Sequence, residues 1–464
     1  MDPQFIAQLD VYSQSKGRTP SVFVFNPFAE GRLAEGKTFN PAKHQAQLAR
    51  DLANLPQFLC RQDDIVLTSS KPSVEFLSRV KQAGFPLPEF VALDDVASMK
   101  TRKLGSLRPW AWGPDSFEIL KPLFESVTGE QRAAEKRFND GIAQLYSKSW
   151  SASFLRKILF GGSRRAEAQT AVHRSSANWL CSENEIGLPV RSMDEAQSAI
   201  SAIRARGHHK IVIKQSFGVA GSNALRLFEP HLLETQLRWM NNAFSKKREL
   251  VIEPWLERLQ DFSVQLEMTP SGLKLCGFTG LINDARGQFV ANFAESHHHK
   301  RIPSKVISQF TGVPDISSRL LGFYDELFAQ LETELRAVDF IGPLGIDAFV
   351  YRDVDGSTKI KPIVEINPRF TMGRVLVELM RQTCQNSVGV FQLINPAQLR
   401  RDGFENFSGY ARNLEEKFPL KFEGAPVPRI REGALCLNDP STVQTCLAVF
   451  SVGRSLDELL TSSG

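Results

Sequence analysis

The chain has no run of about 18 or more apolar residues, so no membrane-spanning helix and no membrane partner are expected. Its six cysteines (Cys60, Cys181, Cys276, Cys384, Cys436 and Cys446) are scattered, with no pair two or three residues apart. That spacing excludes a zinc knuckle or a redox pair. The opening MDPQFIAQLDVYSQSKG is acidic and polar where a signal peptide needs an apolar stretch. Scattered cysteines without such a peptide predict a reducing, cytoplasmic location. Charge of either sign is not in excess: 56 Lys plus Arg against 51 Asp plus Glu leaves +5, too little to point to a nucleic-acid partner. Repeats and long low-complexity tracts are missing as well.

What remains is an ordinary globular composition, 42% hydrophobic and 23% charged, on 464 residues, enough for a sizeable core in two to four domains. SVFVF (21–25) and DIVLT (64–68) read as short buried strands, PSVEFLSRVKQAG as a helix and PEFVAL (88–93) as a further strand. Strand, helix, strand implies a small parallel sheet within residues 1–125. Asn26, Pro27 and Phe28 follow the first strand where a dinucleotide site needs a Gly-rich turn. Further on, NWLCSENEIGLPV reads as a helix, a glycine and a short strand, and MDEAQSAISAI as a helix. FSVQLEM alternates, with Phe262, Val264, Leu266 and Met268 on one face and Ser263, Gln265 and Glu267 on the other. RLLGFYDELFAQLETELRAV predicts a long amphipathic helix, and GIDAFVY and KIKPIVEIN two strands joined at Asp355-Gly356. The last 75 or so residues read as strands, loops and a terminal helix without visible chemistry.

Three segments carry chemistry. In IVIKQSFGVAGSNALRL, Lys214 ends a strand and Ser216, Gly218, Gly221 and Ser222 follow in a small-residue loop. Such a loop turns backbone N–H groups toward an anion, and a lysine adds a point charge. Without further context it is equally a flexible hairpin. In LVIEPWLERLQDFSVQ, Glu253 ends one strand and Asp261 opens the next. Trp255 and Leu256 between them can offer backbone groups to an adenine edge, and Asp261 can accept from ribose hydroxyls. The plainer alternatives are a strand-end charge in water for Glu253 and packing for Trp255. In GIDAFVY and PIVEINPRF, Glu365 and Asn367 share a strand face, and Asp347 joins them if the two strands pair. Two carboxylates and an amide oxygen suit magnesium, and Arg369 fits a phosphoryl oxygen. The alternative is an internal Glu–Arg ion pair.

Two more segments stay double. Residues 129–169, with SKSWSASFLRKILFGGSRR, read as a helical connector or a mobile basic lid. ESHHHKRIP reads as an exposed loop, or as a substrate loop with Lys300 and Arg301 facing an acidic substrate or a γ-phosphate; His297, His298 and His299 are adjacent and do not easily share one metal.

Phosphate lysine, hinge carboxylates and metal carboxylates stand in the order found in the ATP-grasp superfamily, which the sequence resembles from about 165 to 385. EPWLERLQDFSV resembles the adenine hinge of D-alanine–D-alanine ligases, and VEINPR the metal strand of biotin carboxylases and carbamoyl phosphate synthetases. The resemblance implies an α/β chain: an N-terminal α/β domain (1–125), a helical basic connector (126–168), a two-lobed ATP-grasp domain (169–388) and a C-terminal extension (389–464). It implies that Lys214 contacts the α/β-phosphates, that Ser216, Gly218, Gly221 and Ser222 cover the triphosphate, and that Glu253, Trp255 and Leu256 bind adenine. Asp261 would take the ribose. Asp347, Glu365 and Asn367 would hold magnesium, with manganese as an alternative, and Arg369 would stabilise the transferred phosphoryl group. A second lysine of the family precedes the phosphate loop. AVHRSSANW stands in that region, so Arg174 (or His173) serves or the contact is missing. The arginine that D-alanine ligases carry before the metal Asp is absent, with Leu344 and Gly345 in its place.

The chemistry implied is attack of a carboxylate on the γ-phosphate, departure of ADP, and capture of the acyl phosphate by an amine. Small-molecule acid and amine substrates follow, and a homo-oligomer stays open. A phosphotransferase on the same fold and an ATP-binding regulatory protein without turnover are the alternatives.

Overall fold

A computed structural model describes residues 18–127, 137–161, 178–218, 224–283, 289–424 and 426–461. The N-terminal strands β1 (Ser21–Val24), β2 (Ile65–Thr68), β3 (Glu89–Ala92) and β4 (Ser106–Pro109) form the expected parallel sheet, in the order β3-β2-β1-β4. Apolar strands this short, buried on both faces, need helices on either side. One is Val74–Gln82, capped by Ser73, which accepts from Phe76 N at 3.3 Å.

A small antiparallel lobe follows. It holds β5 (Leu188–Val190), β6 (Ile211–Gln215), β7 (Ala224–Leu227) and β8 (Leu250–Pro254) in the order β5-β8-β6-β7. Helices Met193–Ala205 and Glu234–Ser245 close its own core, with Ile200, Ile213, Met240 and Ile252 fully buried. The helix expected in NWLCSENEIGLPV does not form. Trp179 O accepts from Ile360 N at 2.8 Å and Cys181 N donates to Ile360 O at 2.9 Å, so these backbone groups bond sideways to a strand. Only a single turn at Glu183–Glu185 is helical.

The large sheet is antiparallel and nine-stranded: β9 (Glu257–Thr269), β10 (Gly272–Asn283), β11 (Phe289–Ala294), β12 (Gly342–Arg352), β13 (Thr358–Asn367), β14 (Val388–Ile394), β15 (Lys421–Glu423), β16 (Arg429–Cys436) and β17 (Leu447–Gly453). Its order is β13-β12-β9-β10-β11-β14-β17-β16-β15, so strands of the C-terminal segment extend the same sheet. Phe262, Val264, Leu266 and Met268 pack under helix Ile316–Ala337, as the alternation predicts, and leave the opposite face of β9 polar. The C-terminal segment also holds two helices that the sequence did not announce, Pro396–Arg401 and Phe407–Lys417.

One seam joins the two ends of the chain. Asp51 Oδ2 accepts from Thr445 N (2.6 Å), Thr445 Oγ1 (2.7 Å) and Cys446 N (3.0 Å), and Asn54 Nδ2 donates to Leu437 O. Among the described residues no helix is long and apolar enough to cross a membrane, and all six cysteines are free.

Candidate active site

The polar face of the large sheet gathers the predicted metal donors. On paired strands β12 and β13, Asp347 stands opposite Glu365 and Gly345 opposite Asn367. Asn367 Nδ2 donates to Asp347 Oδ2 at 3.0 Å. Burial first, and the like charge of Glu365 second, push the Asp347 carboxyl up to about 6. Glu365 moves the other way. Burial would raise it, but Lys148, Lys214 and Arg369 outweigh that and hold it below its usual range.

The cation closest to Glu365 is Lys148, which the sequence reading did not single out. Its Nζ donates to Glu365 Oε1 at 2.7 Å and to Gly218 O at 2.8 Å. Lys148 opens helix Lys148–Phe160, whose cap Ser147 accepts from Trp150 N. Ser147, Ser149 and Ser216 bring their hydroxyls within 2.6–2.7 Å of one another, and Lys148 N donates to Ser216 O at 2.8 Å. The helix start is thus bonded to the beginning of the loop after β6, where Gly218 adopts a φ of +147° that disfavours any side chain. Burial would lower Lys148, yet Glu365 and Glu30 raise it, so it stays charged. A serine-flanked lysine at a helix start was the available signal; it lay within a stretch read as connector or lid. Arg174 (or His173), the stand-in for the second lysine that precedes the phosphate loop, lies outside the described residues, as do Gly221 and Ser222.

Arg369 follows on the same strand end and is fixed on three sides. Its Nε donates to Glu30 Oε1 (2.9 Å), its Nη2 to Asn367 Oδ1 (3.1 Å) and its Nη1 to Phe370 O (3.3 Å). Arg369 does pair with a glutamate, but not within the metal strand as the alternative reading had it: its partner is Glu30 of the N-terminal domain, while Glu365 pairs with Lys148. Glu30 has no local motif; only the fold brings it here.

Behind the carboxylates, Glu253 is buried between Lys214 and Lys361 and bonds to both. Burial alone would raise its carboxyl, but the two lysines hold it far below its ordinary value; Lys214 itself is lowered by burial, despite Glu253. This overturns the picture of Glu253 as a strand-end charge in water. Lys361 sits mid-strand among apolar residues, which was a legible oddity. The three charged groups border a tight slot between the small lobe and the large sheet, with free space of about 10 Å³, walled by Ala152, Leu155, Ile186, Val251 and Ile363. An apolar slot with a few converging charges is how ligand sites are built.

The remaining predicted residues separate. Trp255 N donates to Lys210 O at 2.8 Å, so that donor is not open to an adenine edge, and its ring packs against Phe228 with Arg226 above it. Leu256 is buried, and Asp261 pairs with Arg258 at 2.9 Å. Lys300 and Arg301 stand exposed on a turn closed by their N–H groups on His297 O; among the described residues neither joins the ion pairs around Glu365.

No family model matches the sequence, and no curated protein matches it. Solved structures do resemble the fold. A biotin carboxylase from Campylobacter jejuni is 10% identical, with 96% of this chain and 90% of that chain covered and a TM-score of 0.49. An N5-carboxyaminoimidazole synthetase from Staphylococcus aureus is 10% identical, with 97% of each chain covered and a TM-score of 0.47. An L-amino acid ligase from Bacillus licheniformis is 10% identical, with 97% of each chain covered and a TM-score of 0.45. At such identities and scores, neither activity nor substrate passes to this chain. The α/β architecture itself, with a parallel domain before two antiparallel lobes, is as expected from the sequence.

The donor set fits a hard divalent cation. Among the described residues no group of three His, Cys, Asp or Glu forms a metal cluster. Two facing carboxylates and an amide suit magnesium rather than a softer ion. As placed, the Asn367 amide turns its nitrogen to Asp347 and its oxygen to Arg369, an assignment set by the hydrogen-bond network, so it offers its oxygen to an ion only after turning over.

Asp347→Asn should separate stability from function. A carboxyl raised from 3.8 to about 6 costs stability above pH 6, and the cost disappears as pH falls toward 4. In EDTA-treated protein, Asp347→Asn is expected to gain about 1–2 kcal/mol at pH 7.5, allowing for partial solvent screening, and nothing near pH 4. Urea unfolding at both pH values checks this; a loss of stability at pH 7.5 contradicts it.

Proposed function

We propose that the chain is an ATP-dependent, ADP-forming ligase of the ATP-grasp type that activates a carboxylate as an acyl phosphate and joins it to an amine. The observation that carries this reading is the Lys148–Glu365 pair at 2.7 Å, set opposite Asp347 and next to Arg369. Carboxylates for a divalent ion and fixed cations for phosphoryl oxygens meet there, and the reaction read here needs no side-chain nucleophile. Such a site works by position and charge. The division at 1–125, 126–168, 169–388 and 389–464 belongs to the proposal, with one amendment: Lys148 makes the second segment part of the site.

In this reading the base of ATP takes the slot walled by Leu155, Ile186, Val251 and Ile363, which has to widen to admit it. The phosphates run toward Lys148, Lys214 and the turn from Ser216 to Gly218. Asp347, Glu365 and Asn367 would hold magnesium, which when bound neutralises charge on the phosphates. Lys148 gives up Glu365 for phosphate oxygens. The acid's oxygen attacks the γ-phosphorus, ADP leaves, and Arg369 faces the phosphoryl group and then the oxyanion formed as the amine attacks. Lys300 and Arg301 remain candidates for the rim.

ATP with magnesium should raise the melting temperature, by about 2.7 kcal/mol of stabilisation at a hundredfold excess over the dissociation constant. Lys214→Ala should weaken that shift. A panel of acids and amines should then release ADP and phosphate in equal amounts, and hydroxylamine with acid alone should give a hydroxamate. AMP with pyrophosphate would mean an adenylate and defeat the mechanism; phosphate kept on a stable product would mean a kinase.

A further inference from the structure

In the order β3-β2-β1-β4, the chain turns back at β1, and β4 lies on its other side. The crevice beyond the carboxyl ends of β1 and β4 is the place where open parallel sheets take ligands. Here that crevice opens onto the reaction centre. Ala111, just past β4, bridges to Arg369, and Glu30, just past β1, bonds to the same arginine.

Among the described residues, two carboxylate oxygens at this end of the sheet are buried without a hydrogen-bond partner: Glu30 Oε2 and Asp115 Oδ1. Glu30 is 4% exposed and spends only Oε1, on Arg369. Asp115 Oδ2 accepts from Asn26 Nδ2 at 3.2 Å, and the carboxyl also draws on the backbone N–H groups of Asp115 and Ser116. Their helices, Ala29–Glu35 and Pro114–Leu120, pack against each other. The Tyr146 hydroxyl donates to Trp112 O (2.7 Å) and lies 3.1 Å from Pro368 O, so it ties this end of the domain to the metal strand. A buried anionic oxygen left unpaired is costly and calls for a donor.

We propose that Glu30 Oε2, with Asp115 on the helix packed against its own, is the subsite for the ammonium group of the amine substrate. The inference rests on the ligase reading above and names the substrate class for this side of the site: an acceptor that arrives as a cation. Each N–H of an ammonium can donate to a carboxylate oxygen. The nitrogen must lose one proton before it attacks, and Glu30 Oε2 accepts it. The N–C bond then forms, the C–O bond to phosphate breaks, and phosphate leaves with the second proton. Glu30 returns its proton to water after product release. Oε1 stays on Arg369 throughout, so one side chain sets both the guanidinium that faces the acyl phosphate and the amine that attacks it.

Glu30→Gln separates the two roles. The amide oxygen still accepts from Arg369 Nε, while an NH2 replaces the oxygen offered to the ammonium. The probes are methylamine and the twenty amino acids as cationic acceptors, and hydroxylamine, uncharged near neutral pH, as the neutral one. We expect KM for whichever cationic acceptors serve the wild type to rise at least about tenfold to a hundredfold, the worth of one charge-assisted hydrogen bond. Hydroxamate formation should fall by a clearly smaller factor than kcat/KM for the cationic acceptor, so that the ratio of the two reports the ammonium contact apart from the Arg369 contact. Asp115→Asn should raise the same KM by a smaller factor. The ATP-induced melting shift of each variant confirms folding. An unchanged KM overturns the proposal, and so does an equal loss with hydroxylamine, which would make Glu30 a positioning residue for Arg369 alone. Failure of the wild type to release ADP with any acid would instead defeat the ligase reading.

Discussion

Glu365→Gln should lower turnover by at least about 10²–10³-fold while the protein stays folded and still binds nucleotide. The size of the side chain is kept and one charge is lost, at the position where that charge has most to do. Glu365 faces Asp347 across the β12–β13 pair and holds Lys148 at 2.7 Å. A glutamine gives a divalent ion one neutral oxygen in place of a carboxylate, and phosphoryl transfer depends on charge placed in advance of the reaction. Folding should persist because the repulsion on Asp347 is relieved at the same time as the Lys148 pair is lost. ADP release and a urea unfolding curve are the two measurements. Activity within about threefold of wild type would move the metal role to other residues.

Lys148→Met should cost both stability and activity, and the stability part has a distinctive signature. Removing one partner of a buried ion pair leaves the other charge uncompensated, typically at about 3–5 kcal/mol. Both side chains here are largely buried, at 10% and 15% exposure, so a loss of about 3 kcal/mol is expected in protein freed of metal. Added magnesium should restore part of it, since the ion meets the freed carboxylate. Turnover should fall at least about 10²-fold. In a Glu365→Gln background the same substitution should cost far less, because no buried charge is then stranded. Equal costs in both backgrounds would show that the two residues are not coupled.

Elements with a strong local pattern were legible before any coordinates. FSVQLEM has a period of two and GIDAFVY with KIKPIVEIN is a hairpin around Gly356, whose φ is +83°. From those patterns alone Asp347, Glu365 and Asn367 fall on one face, and the register confirms it. In residues 178–190 the short strand after the glycine forms, at Leu188–Val190, but the helix before it does not, because its helical spacing competes with a neighbour that sequence does not reveal: the edge of β13, to which Trp179 and Cys181 give their backbone bonds. Lys148 was overlooked since a basic stretch usually marks a solvated face; its burial follows from Glu365, 217 residues away. Glu30 was out of reach for the same reason, at a separation of 339 residues from Arg369. Local order writes itself into local sequence, whereas a charge accepted into the interior depends on a partner that only tertiary folding supplies.

The Asp51 seam has a bearing on how the protein is made. Asp51 waits for donors 394 and 395 residues further on, at Thr445 and Cys446. A ribosome adding roughly 5–20 residues per second needs some tens of seconds to deliver them. During that time the parallel domain can fold around β1 and β2, but its carboxylate has only water, and β14 presents an open edge until β17 emerges. Unpaired edges of that kind invite association with other chains. The nascent protein therefore passes through a long interval with the seam open and, near its end, a shorter one with the β14 edge unpaired, and a ribosome that stops short of residue 445 releases a chain in which neither the seam nor that edge can close.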